Sequence, residues 1–422
     1  MLNRHTAPDI KTAADLNVQE PEIRQTRAGV PVYILRSGTQ EVLKTELVFA
    51  AGNMAAPVPL LATATNDLLD EGTAKYSSAE LAEALDYFGA YLESESGADW
   101  SSVTLFTLSK FSQKTLPFLM ELVCAPAFPE QEIRTYRQQG KQRLAVNLTK
   151  VDFLARRKFI QALFGEAHPY GRIIKPEDYD QLSTEALKKY HQSGYLNGLR
   201  AVFIAGQASE ESISAILKAI DESGLQSGSL PAAERIFPET SKQFSEKTDA
   251  LQSAIRIGRR LFTRHHPDYF KFSVLNTILG GYFGSRLMSN IREDKGYTYG
   301  IGSGLVSQDQ EGYFFISTEV GAEVREAAIH EIYLELKKLR EELVSPQELR
   351  LVKNYLTGAF QRSIDGPFAL ADKHKMLCLN NLNTSYLKEY LAAIEQVSAA
   401  EIKDCANLYF QEGDLTEIVV GK

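Results

Sequence analysis

Apolar and polar residues alternate with the two-residue period of half-buried strands in several short runs. VPVYILRS (30–37) and TELVFAAG (45–52) are two of them, and 90–95 and 100–108 read as an antiparallel pair around the turn Gly97-Ala98-Asp99. Between these runs the period lengthens to that of amphipathic helices. Residues 59–69 and 78–88 fit helices, the second opened by Ser77 or Ser78 as its cap, and helical patterning fills most of 111–195 before the strand AVFIAG (201–206) closes the first half. The order then recurs, with a strand at 253–261, a helix at 268–279, a Gly-Gly-Tyr-Phe-Gly turn and a helix at 285–293. Strands at 297–307 and 312–320, helices at 323–342, 346–363 and 398–409, and a last strand at 416–421 follow. Strand runs mixed with helix runs, without strict βαβ alternation, predict an α+β fold.

The recurrence is written in the residues. QLSTEALKKYHQSGY (181–195) matches QVSAAEIKDCANLYF (396–410), and Gly206 and Gly421 end the strands that follow, all at an offset of 215. PEQEIRTY (129–136) mirrors SPQELRLV (345–352) at an offset of 216. The chain therefore reads as a tandem of two like domains, 20–225 and 249–422, joined by a polar, Pro/Ser-rich linker at 226–248.

Composition narrows the function. With 44% hydrophobic and 24% charged residues and a net charge of −8 spread along the chain, the protein has the profile of a globular protein without a basic nucleic-acid footprint. Residues 1–17 are polar with no apolar signal core, and no run approaches a membrane span, so a cytoplasmic location is expected. Cys124, Cys378 and Cys405 lie far apart among apolar or helical neighbours and read as buried thiols. The seven histidines (His5, His168, His191, His265, His266, His330 and His374) show no helical ligand spacing. No Gly-x-Ser-x-Gly elbow, Cys/His dyad or phosphate-loop spacing is present, so no catalytic residue and no metal is assigned.

Several segments resemble the pitrilysin/insulinase zinc peptidases and the mitochondrial processing peptidase subunits. These are Glu71-Gly72-Thr73, then Phe88-Gly89-Ala90, the run Ala167-His168-Pro169-Tyr170-Gly171-Arg172, and Gly284-Ser285-Arg286-Leu287 followed by Arg292, Gly296 and Tyr299, in family order. The resemblance implies two homologous domains, each a mostly antiparallel sheet packed with helices. It also implies a zinc motif, His-x-x-Glu-His, at 63–67. Here those positions read Thr63-Ala64-Thr65-Asn66-Asp67, so Thr63 and Asp67 stand where ligands are expected and Asn66 replaces the general base. The stretch expected to hold the third ligand, 138–143, has no carboxylate, and Arg143 is the implied occupant. Asp67, Asp70 and Glu71 are the remaining oxygen donors for a hard cation, but a solvated helix end with Lys75 close by as a charge partner is the simpler reading.

Taken alone, Arg292 reads as a surface helix residue pairing with Glu293 or Asp294, and Tyr299 as a strand-core residue. The resemblance implies instead that Arg292 and Tyr299, both hydrogen-bond donors, hold peptide substrate. Ser285 and Arg286 read as shaping the start of their helix. His168 reads as structural. The expected protein is inactive alone and carries no cofactor. It is a non-catalytic subunit whose zinc-motif-bearing homologous partner supplies zinc, with peptide as substrate and strand 90–95 as a sheet edge for it. The alternative is an inactive peptide-binding or assembly protein of the same fold, possibly homodimeric.

Overall fold

A computed structural model describes residues 18–234 and 238–422. His5 and residues 235–237 of the expected linker lie outside them. The first half runs β1 (Glu22–Gln25), β2 (Pro31–Arg36), β3 (Val42–Phe49), α1 (Leu61–Asp67), α2 (Ser78–Tyr87), β4 (Tyr91–Ser96), β5 (Ser101–Leu108), α3 (Ser112–Cys124), α4 (Glu130–Asn147), α5 (Val151–Phe164), α6 (Thr184–His191), β6 (Leu199–Gly206) and α7 (Glu210–Ser223). The second half runs β7 (Lys242–Glu246), β8 (Gln252–Leu261), α8 (Tyr269–Asn276), β9 (Ile301–Ser307), β10 (Gly312–Gly321), α9 (Arg325–Glu341), α10 (Pro346–Arg362), α11 (Pro367–Leu379), α12 (Ser385–Gln396), α13 (Ala399–Tyr409) and β11 (Thr416–Gly421).

The strand orders are β1-β2-β6-β3-β5-β4 and β7-β11-β8-β10-β9. Apart from the extra edge strand β1, the two sheets are the same sheet built twice. Each is antiparallel except for one parallel pair, β2 with β6 and β7 with β11. The α+β fold with two homologous, mostly antiparallel sheet domains is thus as expected.

The repeated residues mark where local physics is least forgiving. Ser183 and Ser398 are equivalent N-caps, their hydroxyls accepting from the backbone N–H groups of Ala186 and Glu401 to open α6 and α13. Tyr195 and Phe410, at the ends of those segments, are fully buried. Gly206 and Gly421 adopt positive φ, and a Cβ on either would run into the neighbouring strand, 2.2 Å from the Val42 carbonyl oxygen and 2.5 Å from the Ser253 Cα.

Four differences from expectation have physical causes. Residues 242–246, expected within the linker, form β7, whose mostly exposed residues lack apolar alternation and whose pairing comes from β11. Helix α7 follows β6 and buries Ile213, Ile216 and Ile220 against the first core. Helices α11 and α12 fill 367–396, where no helix was assigned. The buried side chains of α11 divide between two apolar clusters, which blurs the one-sided stripe of an amphipathic helix. Strand β9 begins at Ile301, leaving 297–300 as a loop.

The halves are joined by a reciprocal exchange. Sheet one turns Val32, Ile34, Leu47, Val103 and Val202 toward its own helices, and the opposite face is covered by α11 of the other half. There Leu35 and Ala205 cluster with Leu370 and Ala371, and Val48, Ala201 and Phe203 with Cys378. Correspondingly, α5 of the first half covers sheet two, with Val151, Ala155, Phe159 and Leu163 clustered with Ala254, Ile418 and Val420. Each large side chain so buried contributes roughly 1.5–3 kcal/mol. Ion pairs accompany both seats. On sheet one, Lys44 meets Asp372 at 2.7 Å and Lys375 meets Glu46 at 2.6 Å; on sheet two, Arg256 meets Asp152 at 2.5 Å.

Glu46 is 1% exposed. Glu46→Ala leaves Lys44 and Lys375 only the exposed Asp372 as a shared counter-charge, so urea unfolding should show a loss of about 3 kcal/mol. A change within experimental error would mean that this network is not what seats α11. The buried histidines set a pH dependence. Burial lowers the pKa values of His168, His191 and His374, so the folded state holds them neutral. Their contribution is fully present above the ordinary value of about 6.5 and is lost as pH falls through the lowered folded values. Calorimetry should therefore show Tm falling between about pH 7 and pH 5; a flat Tm would contradict neutral burial.

Candidate functional site

Helix α1 lies alongside β4, the edge strand of sheet one, and faces α4. On it, Asn66 is fully buried and donates from Nδ2 to the Tyr195 hydroxyl at 2.9 Å. Its Oδ1 is buried without a hydrogen-bond partner. Asp67, one residue on, accepts from the Tyr136 hydroxyl of α4 at 2.8 Å. Burial raises the Asp67 pKa, while the Tyr136 hydrogen bond and the positive charge of Arg143 oppose the rise. Thr63 is half-buried. The structure thus brings α1 and Arg143 of α4 into one neighbourhood, with Tyr136 as the link that sequence reasoning missed.

These residues do not fit zinc. Thr63 and Asn66 offer neutral oxygens, Asp67 is already bonded to Tyr136, and a guanidinium stands close enough to act on it. Among the described residues no group of three or more His, Cys, Asp or Glu could hold a metal ion. Asp70 and Glu71 have pKa values raised by burial and then by their acidic neighbours. Lys75, expected beside them, pairs with Glu121 at 2.6 Å instead.

In the second half, the helical turn Met288–Asp294 carries Arg292, and Gly296, with φ of 67°, follows it as the expected helix stop. Arg292 forms no ion pair with Glu293 or Asp294; its guanidinium lies 4.8 Å from the centre of the Phe283 ring. Tyr299 is 96% exposed, which corrects its reading as a strand-core residue. The cause is Thr298, whose hydroxyl bonds the Glu319 carbonyl at 2.7 Å and pins the loop before β9 so that the next side chain points outward. Tyr299 borders a cleft of about 380 Å³ together with Asp152, Arg256, Thr318 and Glu319. No contact joins Arg292 to Tyr299 directly. The cleft lies where α5 crosses sheet two, and its flanking residues are too far apart in sequence to have been grouped by spacing.

Other motif residues are structural. Arg286 makes a bidentate pair with Glu348 of α10, at 2.8 and 2.9 Å. Ser285 is buried with its hydroxyl unpartnered, so it does not cap the helix as expected, while its carbonyl accepts from the Ser289 N–H at 2.9 Å. His168 Nδ1 accepts from the Tyr170 N–H at 3.1 Å. The Tyr170 hydroxyl donates to Asp99, which also accepts the Asp309 N–H at 2.9 Å and so ties the halves together.

Replacing Asn66 by alanine removes the amide from the buried Tyr195 hydroxyl and should cost about 1–3 kcal/mol. A double-mutant cycle with Tyr195→Phe should return a coupling of about 1 kcal/mol. Strict additivity in chemical denaturation would show that the pair does not act as a unit.

Comparison with known proteins agrees with this picture. Residues 181–356 match the family described as "Peptidase M16 inactive domain". A Helicobacter pylori protein named "Non-peptidase homolog YmxG" is 24% identical over 374 residues, 84% of this chain and 82% of its own length. A Bacillus subtilis protein named "Uncharacterized zinc protease YmxG" is 23% identical over 332 residues, 75% of this chain and 80% of its own length. Among solved structures, a peptidase M16 inactive domain from Pseudomonas fluorescens superposes with a TM-score of 0.88 at 23% identity, covering 96% of this chain and 98% of that one. A protease from Helicobacter pylori gives 0.86 at 16% identity, covering 96% of this chain and all of that one. At such identities the superpositions speak for the fold, and the comparisons together place residues 181–356 in the M16 inactive-domain family's profile, with proteins named both as zinc proteases and as a non-peptidase homologue among the chain's relatives.

Proposed function

We propose that the chain is the non-catalytic subunit of a heterodimeric zinc metallopeptidase, holding extended peptide in a closed chamber while a partner bearing His-x-x-Glu-His supplies zinc and hydrolysis. The observation that carries this reading is a helix placed beside a sheet edge with no metal ligands at the positions where the resemblance expects them. Helix α1 runs beside the edge strand β4, and Thr63, Asn66 and Asp67 stand where the resemblance puts the zinc motif. Among the described residues the outer edge of β4 has no neighbouring strand in the sheet. An extended peptide can add there through main-chain hydrogen bonds, and exposed Glu93 and Glu95 discourage indiscriminate strand pairing. In the second half, the exposed Tyr299 phenol and the Arg292 guanidinium are donors suited to peptide carbonyl oxygens.

One observation favours the alternative, an inactive peptide-binding or assembly protein. Arg292 already has a partner in Phe283, so its place could be explained without substrate.

Mixing the chain with a zinc-motif homologue separates the two. The chain alone should bind no stoichiometric zinc and cleave no peptide, and mixing should produce cleavage. The double variant Arg292→Ala, Tyr299→Ala should then lower kcat/KM of the pair by about 10-fold or more, since a donor to a charged or polarised oxygen is worth about 1.5–3 kcal/mol. Unchanged cleavage by the double variant would sink the substrate-holding role, and zinc-dependent cleavage by the chain alone would sink the whole reading.

A further inference from the structure

A cavity of about 260 Å³ lies in the second half among α8, α10, α11, α12 and the loop after β8. It is separate from α1 and from the Tyr299 cleft. Two cations line it and no carboxylate does. Arg264, from the loop, places its guanidinium 5.3 Å from the centre of the Tyr269 ring, and its Nε is buried with no hydrogen-bond partner. Lys373, from α11, sets its ammonium 5.7 Å from the centre of the Phe360 ring. Neither cation forms an ion pair among the described residues. The buried Tyr386 hydroxyl borders the same space with no partner at hydrogen-bonding geometry, although Arg264 is near enough to act on it. The rest of the wall mixes apolar side chains, Leu356, Met376 and Leu387 among them, with the hydroxyl-bearing Ser273, Ser363 and Tyr390.

Like charges facing one partly buried space are costly unless a counter-charge joins them. Burial lowers the Lys373 pKa, and Arg264 lowers it further, so the two cations act on each other. This chain has more acidic than basic residues, yet among the described residues no carboxylate lines this cavity. A guanidinium, an ammonium and a phenol thus border one space in which the other polar groups are neutral hydroxyls.

We propose that this cavity binds a small organic anion, a carboxylate or phosphate head carrying an apolar tail. The head lies among Arg264, Lys373 and the Tyr386 hydroxyl, and the tail packs on Phe360, Met376 and Leu387. The volume falls just below the roughly 300–1,000 Å³ of drug-sized sites, which limits the tail to a short one. Because the cavity is walled by α11, whose other residues cover sheet one, an occupant ties that cover to α12 and to the loop after β8. Binding therefore stabilises the joint between the halves.

The test uses the full chain with four probes: octanoate, octyl phosphate, octanol and inorganic phosphate, compared at constant ionic strength by calorimetric titration and thermal denaturation. One or both of the anionic octyl compounds should bind saturably and raise Tm, the tighter of them fixing the head group. Octanol and inorganic phosphate should bind at least about 10-fold more weakly, the scale of a 1.4 kcal/mol difference. The double variant Arg264→Gln, Lys373→Gln should lose at least about 10-fold in affinity while its unliganded Tm stays equal or rises, because it removes two uncompensated charges. Tyr386→Phe should give a smaller loss at unchanged fold. Octanol binding as tightly as octanoate, inorganic phosphate matching octyl phosphate, retention of affinity in the double variant, or no binding of any probe would each overturn the proposal. None of these outcomes depends on the reading of α1 or Tyr299.

Discussion

A sheet buried on both faces cannot stand on helices from one side only. Seven of the eight residues of β3 are buried, and the second cover it requires comes from the other half of the chain. The exchange of α5 and α11 meets that need twice with one solution, since the two helices occupy equivalent places in the repeat. The cleft beside Tyr299 depends on it, because α5 supplies one wall. So does the cavity at Arg264, because α11 supplies another.

The duplicated fold was legible in the sequence wherever one residue type alone satisfies the backbone. An N-cap hydroxyl at Ser183 and Ser398, and a side-chain-free position at Gly206 and Gly421, are local demands repeated with the fold. The exchange itself was not legible. Helix α11 packs into two apolar clusters and so carries no clean helical stripe, and β7 is a polar edge strand that exists only because β11 lies beside it. Of the candidate site, the residue types at Thr63, Asn66 and Asp67 could be read directly. Their partners could not, because Asn66 and Tyr195 are 129 residues apart, and Asp67 and Tyr136 are 69 apart. Tyr299 was misread for a similar reason: the Thr298 hydroxyl that turns the loop outward bonds a strand 21 residues away.

Frame and chemistry are separable in this fold. The position of α1 follows from the core, where Leu61, Ala62, Ala64, Leu68 and Leu69 are buried with the helices around them. Metal chemistry would involve only positions 63, 66 and 67, and the apolar positions hold the helix in place whatever those three are. The edge strand beside it is set by its own pairing with β5.

The amide at position 66 shows how packing limits what this helix can carry. Asn66 belongs to the interior, bonded to a tyrosine from the segment after α6. A glutamate placed there would bring a negative charge into a fully buried position, and histidines placed at 63 and 67 would gain nothing until it was accommodated. A zinc motif written onto α1 would therefore lower stability at its first substitution and gain a metal only at its last. Packing acts here as a ratchet against metal chemistry on this helix.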